Sequence, residues 1–338
     1  MVKTKSENKT ILITGGCGFI GSHLTILLKK KNYKVIVIDN LSIGKKQLFK
    51  GDKFYKVDIT KKKQLEKVFK ENKVFAIFHL AGLSKLTESF KKKNLYKKNN
   101  IKGTKNIVEL TKKFKIKYLI FSSSASVYGK QKKFPISENA SLKPISYYGK
   151  TKLISENLIK NYCSKNYFKS ICLRYFNVIG SDYENKLGEI HNPPIHLIPI
   201  FVKKIIDKKP IQIRSNFNTI DKSGVRDYID VNDMAKAHYL CLKKITKIKK
   251  NFFVLNLGSK KYFSVKEIVE IISKKIKSKK IKISYSKKLK GEPDKLIANG
   301  RLANKILGWS PKVKIEKSIT DMILWEKYKL KNKKKFIN

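Results

Sequence analysis

Short runs of apolar residues alternate along the chain with longer stretches in which apolar residues recur every three or four positions. The runs are typical of buried strands, and they predict strands at 10–14, 34–39, 74–82, 117–124 and 170–178. The stretches between them predict amphipathic helices near 19–31, 61–72, 87–113 and 148–165. Strand–helix alternation of this kind predicts an α/β fold with a parallel, doubly wound sheet and right-handed crossovers.

The alternation changes after residue 178, where the proline-bearing loop "GEIHNPPIHLIP" precedes a predicted helix at 197–208. Segments 229–246 and 252–257 have the pattern of another helix and strand, which we expect to return to the first domain. A chain of 338 residues exceeds one typical core, so we expect two domains. The first is 1–178 with 229–257, and the second, smaller α/β domain is 179–228 with 258–338.

The net charge of +53 raises the question of nucleic-acid binding. Only four of the 78 basic residues are arginines, namely Arg174, Arg214, Arg226 and Arg301, and the lysines are scattered along the whole chain. Surfaces that read bases favour arginine forks, so lysines on solvated faces are the better interpretation. We therefore expect no specific nucleic-acid partner, although anionic substrates should be attracted electrostatically.

The cysteines and the N-terminus favour a soluble cytoplasmic protein. Cys17, Cys163, Cys172 and Cys241 are far apart and form no paired spacing, which argues against a zinc site and against a disulfide framework. The apolar run after the basic N-terminus is interrupted by glycines and by His23, so we expect neither an export signal nor a membrane partner.

The segment "TGGCGFIGSH" carries a glycine pattern for nucleotide binding. Gly16-x-Gly18-x-x-Gly21 overlaps a second spacing that starts at Gly15, follows a predicted strand and opens a predicted helix. Glycines are needed there because the chain must turn sharply and let backbone N–H groups approach a pyrophosphate. The pattern predicts a Rossmann-type dinucleotide site.

The second predicted strand ends at Asp39, and this acidic residue favours NAD over NADP. Its carboxylate would accept hydrogen bonds from the ribose 2′-OH and repel a 2′-phosphate. The alternative is that Asp39 caps the loop "DNLSIG". Asp58, in "KVDIT", has two comparable interpretations: a contact with the adenine amino group, or a cap of helix 61–72.

The segment "SYYGKTK" contains a candidate catalytic pair. Tyr148 and Lys152 are four residues apart and share one face of the predicted helix. A phenol is a poor base at neutral pH, but a nearby ammonium stabilises the phenolate. The serines at 122–124 end a predicted strand at the carboxyl edge of the sheet, and they offer a proton relay.

Seven segments in this order resemble an extended short-chain dehydrogenase/reductase of the UDP-glucose 4-epimerase type. They are "TGGCGFIGSH", "FHLAGLSK", "FSSSASVYG", "YYGKTK", "LRYFNVIG", "GEIHNPPIHLIP" and "GVRDYIDVNDMAKAH". The resemblance covers about residues 10–325. It implies a Rossmann-type sheet with a smaller α/β C-terminal substrate domain, and inversion at C4 between UDP-galactose and UDP-glucose through a transient 4-keto sugar. It also implies tightly bound NAD that is not consumed.

The resemblance implies a role for each matching residue. Tyr148 corresponds to the base for the sugar 4-OH, Ser124 to the serine that relays this proton, and Lys152 to the lysine that holds the nicotinamide ribose and lowers the pKa of the tyrosine. Together with Tyr148 and Lys152, the positions that match NAD contacts are Gly15, Gly18, Phe19, Ile20, Gly21, Asp39, Asn40, Asp58, Ile59, Leu80, Ala81, Gly82, Asn99, Ser122 and Tyr175.

On the substrate side, the resemblance places Ser124, Tyr148, Asn177, His196, Leu197, Arg226 and Leu296 against a UDP-sugar. Arg226 corresponds to a diphosphate contact, and a planar fork suits that role in a chain dominated by lysine. His191 and His196 are five residues apart, a spacing that suits no common metal motif, so we expect structural or substrate-contacting roles and no metal. Helices 87–113 and 148–165 resemble the pair that forms a homodimer in this family.

The chain departs from the family pattern at three positions. Ser84 stands where a lysine faces the pyrophosphate, and Leu289 stands where an arginine contacts the diphosphate, with Lys288 or Lys290 as possible substitutes. Leu296 replaces a bulky tyrosine found in some members, which leaves room for an N-acetyl group.

Three other functions remain open for a chain with these features. They are a 4-epimerase of UDP-N-acetylglucosamine, an epimerase of UDP-glucuronate, and a non-catalytic protein that binds NAD or nucleic acid. A 4,6-dehydratase is disfavoured, because "SSSASVYG" lacks the carboxylates that elimination requires.

Overall fold

The apolar runs of the first half of the chain lie side by side as parallel strands in the computed structural model. The structure describes residues 9–184, 186–191, 193–259, 261–278, 281–289 and 292–332. The strands are β1 Thr10–Thr14, β2 Lys34–Asp39, β3 Lys53–Lys56, β4 Val74–His79, β5 Tyr118–Ser124, β6 Lys169–Tyr175, β7 Asn177–Ile179, β8 Ile211–Ser215, β9 Val225–Asp230, β10 Phe252–Leu257, β11 Tyr262–Ser264, β12 Ile283–Lys287 and β13 Lys295–Leu296.

The helices follow the same order along the chain. They are α1 Phe19–Lys29, α2 Lys62–Glu71, α3 Leu86–Lys91, α4 Lys93–Tyr96, α5 Gly103–Lys113, α6 Tyr147–Ser164, α7 Leu197–Ile206, α8 Val231–Ile245, α9 Val265–Ile276, α10 Arg301–Leu307 and α11 Ile315–Lys331. A π-helical segment, Lys97–Lys102, connects α4 to α5.

The main sheet has seven strands in the order β3-β2-β1-β4-β5-β6-β10, and every neighbouring pair is parallel. The order reverses direction between β1 and β4. In open α/β sheets, ligands bind at such a switch point, outside the carboxyl ends of the strands. The predicted doubly wound parallel sheet is therefore confirmed, and its switch point indicates where the site should lie.

Both faces of the sheet are covered, which explains why its strands are apolar without interruption. In β1, Ile11 and Ile13 pack in the layer that contains Leu24 of α1, together with residues of α8. Leu12, between them, points to the opposite layer, where it joins Ile107 of α5 and residues of α2 and α6. Alternate side chains of one strand therefore belong to two different cores.

The remaining strands build a smaller lobe over the carboxyl edge of the main sheet. Strands β11, β9 and β13 pair in that order with β7 on β9, and β8 pairs with β12. A third apolar core lies between α7, α9, α11 and β8. None of the helices in the described part of the chain is long and apolar enough to cross a membrane.

The structure differs from the predicted elements in four places. The strand predicted at 170–178 is divided at Phe176 into β6 and β7, which belong to different sheets. The segment expected as helix 87–113 is divided into α3, α4, the π-helical segment and α5. Strand β3 was not predicted, because this short edge strand is only partly buried and its ends are lysines. Residue 229 belongs to β9 rather than to a helix, since the side chain of Asp230 accepts a hydrogen bond from the backbone of Asn232 and starts α8 there.

Candidate active site

A cleft of about 900 Å³ lies between the carboxyl ends of β1, β4, β5 and β6 and the smaller lobe. The predicted residues that line it are Gly15, Gly18, Phe19, Ile20, Gly21, Leu80, Gly82, Ser122, Ser124, Tyr148, Lys152, Tyr175, Asn177, His196, Leu197 and Arg226. The predicted residues outside its wall are Asp39, Asn40, Asp58, Ile59, Ala81, Asn99 and Leu296. One cavity therefore brings the catalytic candidates together with most of the predicted binding residues.

The glycine-rich turn leaves backbone donors open at one end of the cleft. Gly15 has a φ of +74°, which favours glycine, and a Cβ on Gly21 would lie 2.3 Å from the carbonyl oxygen of Gly15. Helix α1 starts after Gly18, and no side chain caps its N-terminus. The first N–H groups of α1 and its dipole are thus available to an anion such as the pyrophosphate of NAD. The residues present fit this cofactor.

The Asp39 carboxylate caps two backbone turns, as the alternative interpretation of this residue proposed. It accepts hydrogen bonds from the N–H groups of Cys17 (3.0 Å) and Leu41 (2.8 Å). Burial raises the pKa of Asp39, and these two bonds lower it only in part. Each oxygen keeps a lone pair, so capping leaves acceptors for a ribose hydroxyl.

Asp58 and its neighbours lie further from the cleft. Asp58 accepts hydrogen bonds from the backbone of Thr60 (2.7 Å) and the side chain of Asn40 (3.3 Å). The side chain of Ile59 packs in the apolar layer, and a Cβ on Gly103 would lie 2.4 Å from its Cδ1. A contact of Ile59 with a cofactor would therefore involve its backbone.

The adjacent Asn99 and Asn100 differ in environment, and the sequence did not distinguish them. Asn99, in the π-helical segment, donates to the carbonyl of Leu95, four residues earlier in α4. Asn100 is buried, and its amide bonds both backbone groups of Leu83 and the hydroxyl of Thr151. It therefore joins the cleft loop to α6. The π-helical segment shifts the helical phase here, which a regular 3.6-residue pattern does not anticipate.

Helix α6 places the catalytic candidates on one buried face. The Ser146 hydroxyl accepts a hydrogen bond from the Gly149 N–H (3.0 Å) and caps the helix, so Tyr148 and Lys152 lie one turn apart. The Lys152 Nζ donates to the carbonyl of Ser122 at 2.6 Å and lies 5.9 Å from the centre of the Tyr148 ring. A side-chain hydrogen bond connects Tyr148 with Ser124.

The two pKa values of this pair are set mainly by burial. Burial raises the pKa of Tyr148 above its ordinary value, and the hydrogen bond with Ser124 lowers it only in part. Burial also lowers the pKa of Lys152 to about 8, against the effect of the Glu156 carboxylate. The expected lowering of the Tyr148 pKa by Lys152 is not observed, since burial and the hydrogen bond with Ser124 account for the shift and burial is the larger cause.

A buried ion pair behind the serines was missed by sequence reasoning. Glu156 accepts two hydrogen bonds from the guanidinium of Arg174, at 3.0 and 2.7 Å, and one from the hydroxyl of Ser123. Ser123 lies between Ser122, which binds Lys152, and Ser124, which binds Tyr148. An arginine inside the apolar run "ICLRYF" of an arginine-poor chain was the signal that a buried carboxylate should face it.

Arg226 lies at the other end of the cleft, on β9. Its guanidinium is largely buried, donates to the carbonyl oxygens of Val225 (2.9 Å) and Asp294 (3.1 Å), and lies over the ring of Phe217. Burial lowers the pKa of Arg226, and nearby acidic groups such as Glu292 raise it. Nη1 of the fork is thus held by backbone, whereas Nη2 forms an ion pair with Glu292 at 3.5 Å, so a diphosphate would compete with this carboxylate.

The positions that depart from the family pattern are placed as follows. Ser84 and Lys85 both line the cleft. Lys288 forms an ion pair with Asp294 at 2.7 Å, and Lys290 lies outside the described residues. Leu296 packs against the apolar cluster that contains Phe176, and it is not among the residues that line the cleft.

Three polar side chains meet at the loop before α7. Glu189 contacts the Nδ1 atoms of His191 (3.1 Å) and His196 (2.7 Å) through its two oxygens. Burial alone would raise the pKa of Glu189, but the hydrogen bonds with the two histidines hold it well below its usual range. Both histidines were predicted to have structural or substrate-contacting roles, whereas Glu189, which completes the cluster, was not predicted.

Comparison with known proteins agrees with this arrangement. The model of the NAD dependent epimerase/dehydratase family matches residues 11–258. The UDP-glucose 4-epimerase of Lactobacillus helveticus is 38% identical over 305 residues, which is 89% of this chain and 92% of that protein.

Two solved structures give the same result. The UDP-glucose 4-epimerase of Stenotrophomonas maltophila, with bound NAD and formylated UDP-arabinopyranose, has a TM-score of 0.91 and 28% identity, covering 96% of this chain and 100% of that one. The Bifidobacterium longum enzyme with NAD+ and UDP has a TM-score of 0.88 and 32% identity, covering 95% and 98%. The chain belongs to the NAD dependent epimerase/dehydratase family.

Proposed function

We propose that this chain is a UDP-glucose 4-epimerase, which interconverts UDP-galactose and UDP-glucose by inversion at C4 with NAD as a cofactor that is not consumed. The observation that carries the proposal is the meeting of Ser124, Tyr148 and Lys152 in the same cleft as the open N-terminus of α1. Identity of 38% to the Lactobacillus helveticus epimerase along most of both chains supports the same activity.

In this mechanism the side chains move a proton at the sugar 4-oxygen. Tyr148 takes the proton of the 4-OH, and Ser124 bonds both this oxygen and the phenol, so that a transient 4-keto sugar forms. Bound NAD supplies the reversible oxidation at C4, and the net redox change is zero. Lys152 stays protonated below a pH of about 8 and favours the phenolate electrostatically. Return of the proton from Tyr148 after the keto sugar has turned over gives the epimer.

The cofactor is held in this proposal by the turn at Gly15–Gly21, by the loop at 80–82 and by Lys152. Asp39 binds the ribose with the lone pairs that capping leaves free. The remaining predicted positions outside the cleft wall, Asn40, Asp58, Ile59, Ala81 and Asn99, belong to the same half of the site. The proposed domain for NAD is 1–178 with 229–257, and pairing of β10 with β6 in one sheet supports this division.

The UDP-sugar is held from the smaller lobe, which we assign to 179–228 and 258–338. Arg226 binds the diphosphate with its fork, while Asn177, His196 and Leu197, which also line the cleft, contact the nucleotide-sugar. Leu296 motivated the alternative substrate with an N-acetyl group, but its side chain packs in an apolar cluster and is not part of the cleft wall. UDP-glucose and UDP-galactose are therefore the proposed substrates.

We also infer that the protein is a homodimer in the cytoplasm. Exposed apolar side chains cluster on neighbouring helices: Leu86 and Phe90 on α3, Leu95 on α4 and Ile154 on α6. Such a patch is typical of a subunit interface. All four cysteines are free and buried, which fits a reducing compartment. Light scattering of the purified protein tests the dimer, and Phe90→Asp should shift it to monomer.

The deciding experiment for the activity is conversion of UDP-galactose, followed by proton NMR without added NAD. Formation of UDP-glucose is expected, since the cofactor is tightly held. Tyr148→Phe should lower the rate by about 100- to 10,000-fold, as expected for loss of a general base. Tyr147→Phe is the matched control, because its ring lies on another face of the same helix. If no conversion occurs even with NAD supplied, the proposal is wrong.

A further inference from the structure

The loop that precedes α7 holds a cluster of metal-ligating side chains that the proposed reaction does not use as a unit. We propose that Glu189, His191 and His196 bind one divalent transition-metal ion of the zinc class. The ligand atoms of the three residues all lie within 4.8 Å of one another. The proposal concerns metal binding and does not depend on the epimerase activity.

The distances in the cluster are close to those of a tetrahedral site. Zinc binds histidine nitrogen and carboxylate oxygen at about 2.1 Å, which places neighbouring ligand atoms roughly 3.4 Å apart. The Glu189 oxygens lie 3.1 Å from Nδ1 of His191 and 2.7 Å from Nδ1 of His196. Widening of the His191 contact by about 0.3 Å and of the His196 contact by about 0.7 Å would therefore admit the ion between them.

The donor set also selects the type of ion. Two imidazoles and one carboxylate are the ligands of zinc sites that keep a fourth position open, whereas calcium and magnesium prefer oxygen ligands. Imidazole also suits nickel and copper, so selection among these metals depends on supply. All three side chains line the cleft, so the open position would face its interior.

The surrounding residues hold Glu189 while leaving the imidazoles adjustable. The carbonyl oxygen of Glu189 accepts hydrogen bonds from Trp325 (2.9 Å) and Lys329 (3.0 Å), both on α11. The ammonium of Lys329 is ion-paired with Glu326, so it does not neutralise the carboxylate of Glu189. The Nε2 atom of His191 is buried and has no hydrogen-bond partner among the described residues, so no second bond fixes this ring.

A metal ion at this point would connect the two ends of the loop. Glu189 and His191 precede its proline residues, and His196 is the residue on which α7 begins. The ion would thus fix the start of α7, and with it the lip of the cleft. The spacing of the ligands along the chain matches no common motif, because the fold of the loop rather than a helix or hairpin brings them together.

The test is calorimetric titration of zinc into the full chain, purified without a polyhistidine tag and stripped with a chelator. One ion per chain should bind, and Glu189→Gln, His191→Ala and His196→Ala should each weaken binding by at least about tenfold, the effect of losing even an indirect partner of a metal. Glu71→Gln, at an exposed glutamate far from the cluster, is the control and should bind zinc as the unaltered chain does.

A second readout covers the possibility that a variant folds poorly. The side chain of His196 is half exposed, so its replacement should leave the fold intact, as circular dichroism can verify. Cobalt(II) should give the visible absorption of a four-coordinate site in the unaltered protein and lose it in His196→Ala. Absence of stoichiometric binding, or equal binding by all three ligand variants, would overturn the proposal and assign any bound zinc to other surface groups.

Discussion

Removal of Glu156 should be among the most destabilising single changes in this protein. Glu156 and Arg174 are each 3% exposed, and two charge-assisted hydrogen bonds join them. In Glu156→Ala the guanidinium stays buried and keeps only the hydroxyl of Tyr128 and a backbone carbonyl as partners. Breaking a buried pair in this way costs about 3–5 kcal/mol. Two charge-assisted bonds at about 1.5–3 kcal/mol each give about 3–6 kcal/mol, which agrees with this range.

Urea unfolding provides the assay. Trp309 and Trp325, the two tryptophans of the chain, are both buried, so their fluorescence should report loss of the fold. The free energy of unfolding of Glu156→Ala should fall by about 3–5 kcal/mol relative to the unaltered protein.

The double variant Glu156→Met with Arg174→Met separates the cause from simple loss of volume. Replacing both ions by apolar side chains removes the uncompensated charge, and such replacement is often neutral. The double variant should therefore be more stable than Glu156→Met alone. A loss below about 1 kcal/mol in Glu156→Ala, or additive effects in the double variant, would refute the reasoning.

Three further predictions concern the site. The pKa of Lys152 is lowered to about 8, so its ammonium is lost as the pH rises through this value. We therefore expect kcat to fall above pH 8. The residual rate of Lys152→Met should not show this fall at alkaline pH. Gly21→Ala places a Cβ 2.3 Å from the carbonyl oxygen of Gly15. This substitution should lower the free energy of unfolding by about 1–3 kcal/mol and should also weaken NAD binding. Unchanged NAD binding in calorimetry would contradict the proposed turn. Arg226→Lys should weaken UDP binding by about tenfold to hundredfold, because the lost fork makes charge-assisted hydrogen bonds worth about 1.5–3 kcal/mol. The control is Arg301→Lys, at an exposed arginine, which should leave the UDP affinity unchanged.

The sequence predicted those elements whose cause is local. Five apolar runs became β1, β2, β4, β5 and β6, because strands buried on both faces must be apolar throughout. Strand β3 was missed because an edge strand needs fewer apolar residues and its lysines resemble a loop. The division of helix 87–113 was missed for a similar reason, since a π-helical segment keeps the polar and apolar composition of a helix while changing its phase.

Contacts between distant parts of the chain could not be predicted in the same way. The positions of Ser124, Tyr148 and Lys152 follow from one strand end and one helix face, which the sequence pattern contains. By contrast, Glu189 meets His191 and His196 only through the conformation of an irregular loop, and no periodicity describes such a loop.

Completion of the main sheet is delayed during synthesis, because its edge strand β10 is made long after the strand with which it pairs. Strand β6 ends at Tyr175, but its partner β10 does not begin until Phe252. At about 5–20 residues per second, the ribosome needs roughly 4–15 s to produce the intervening chain. During this interval β6 presents an unpaired edge that carries Ile171 and Leu173, and such an edge is a template for aggregation. A nascent chain arrested before residue 252 should therefore recruit chaperones, whereas one in which β10 has left the ribosome should not.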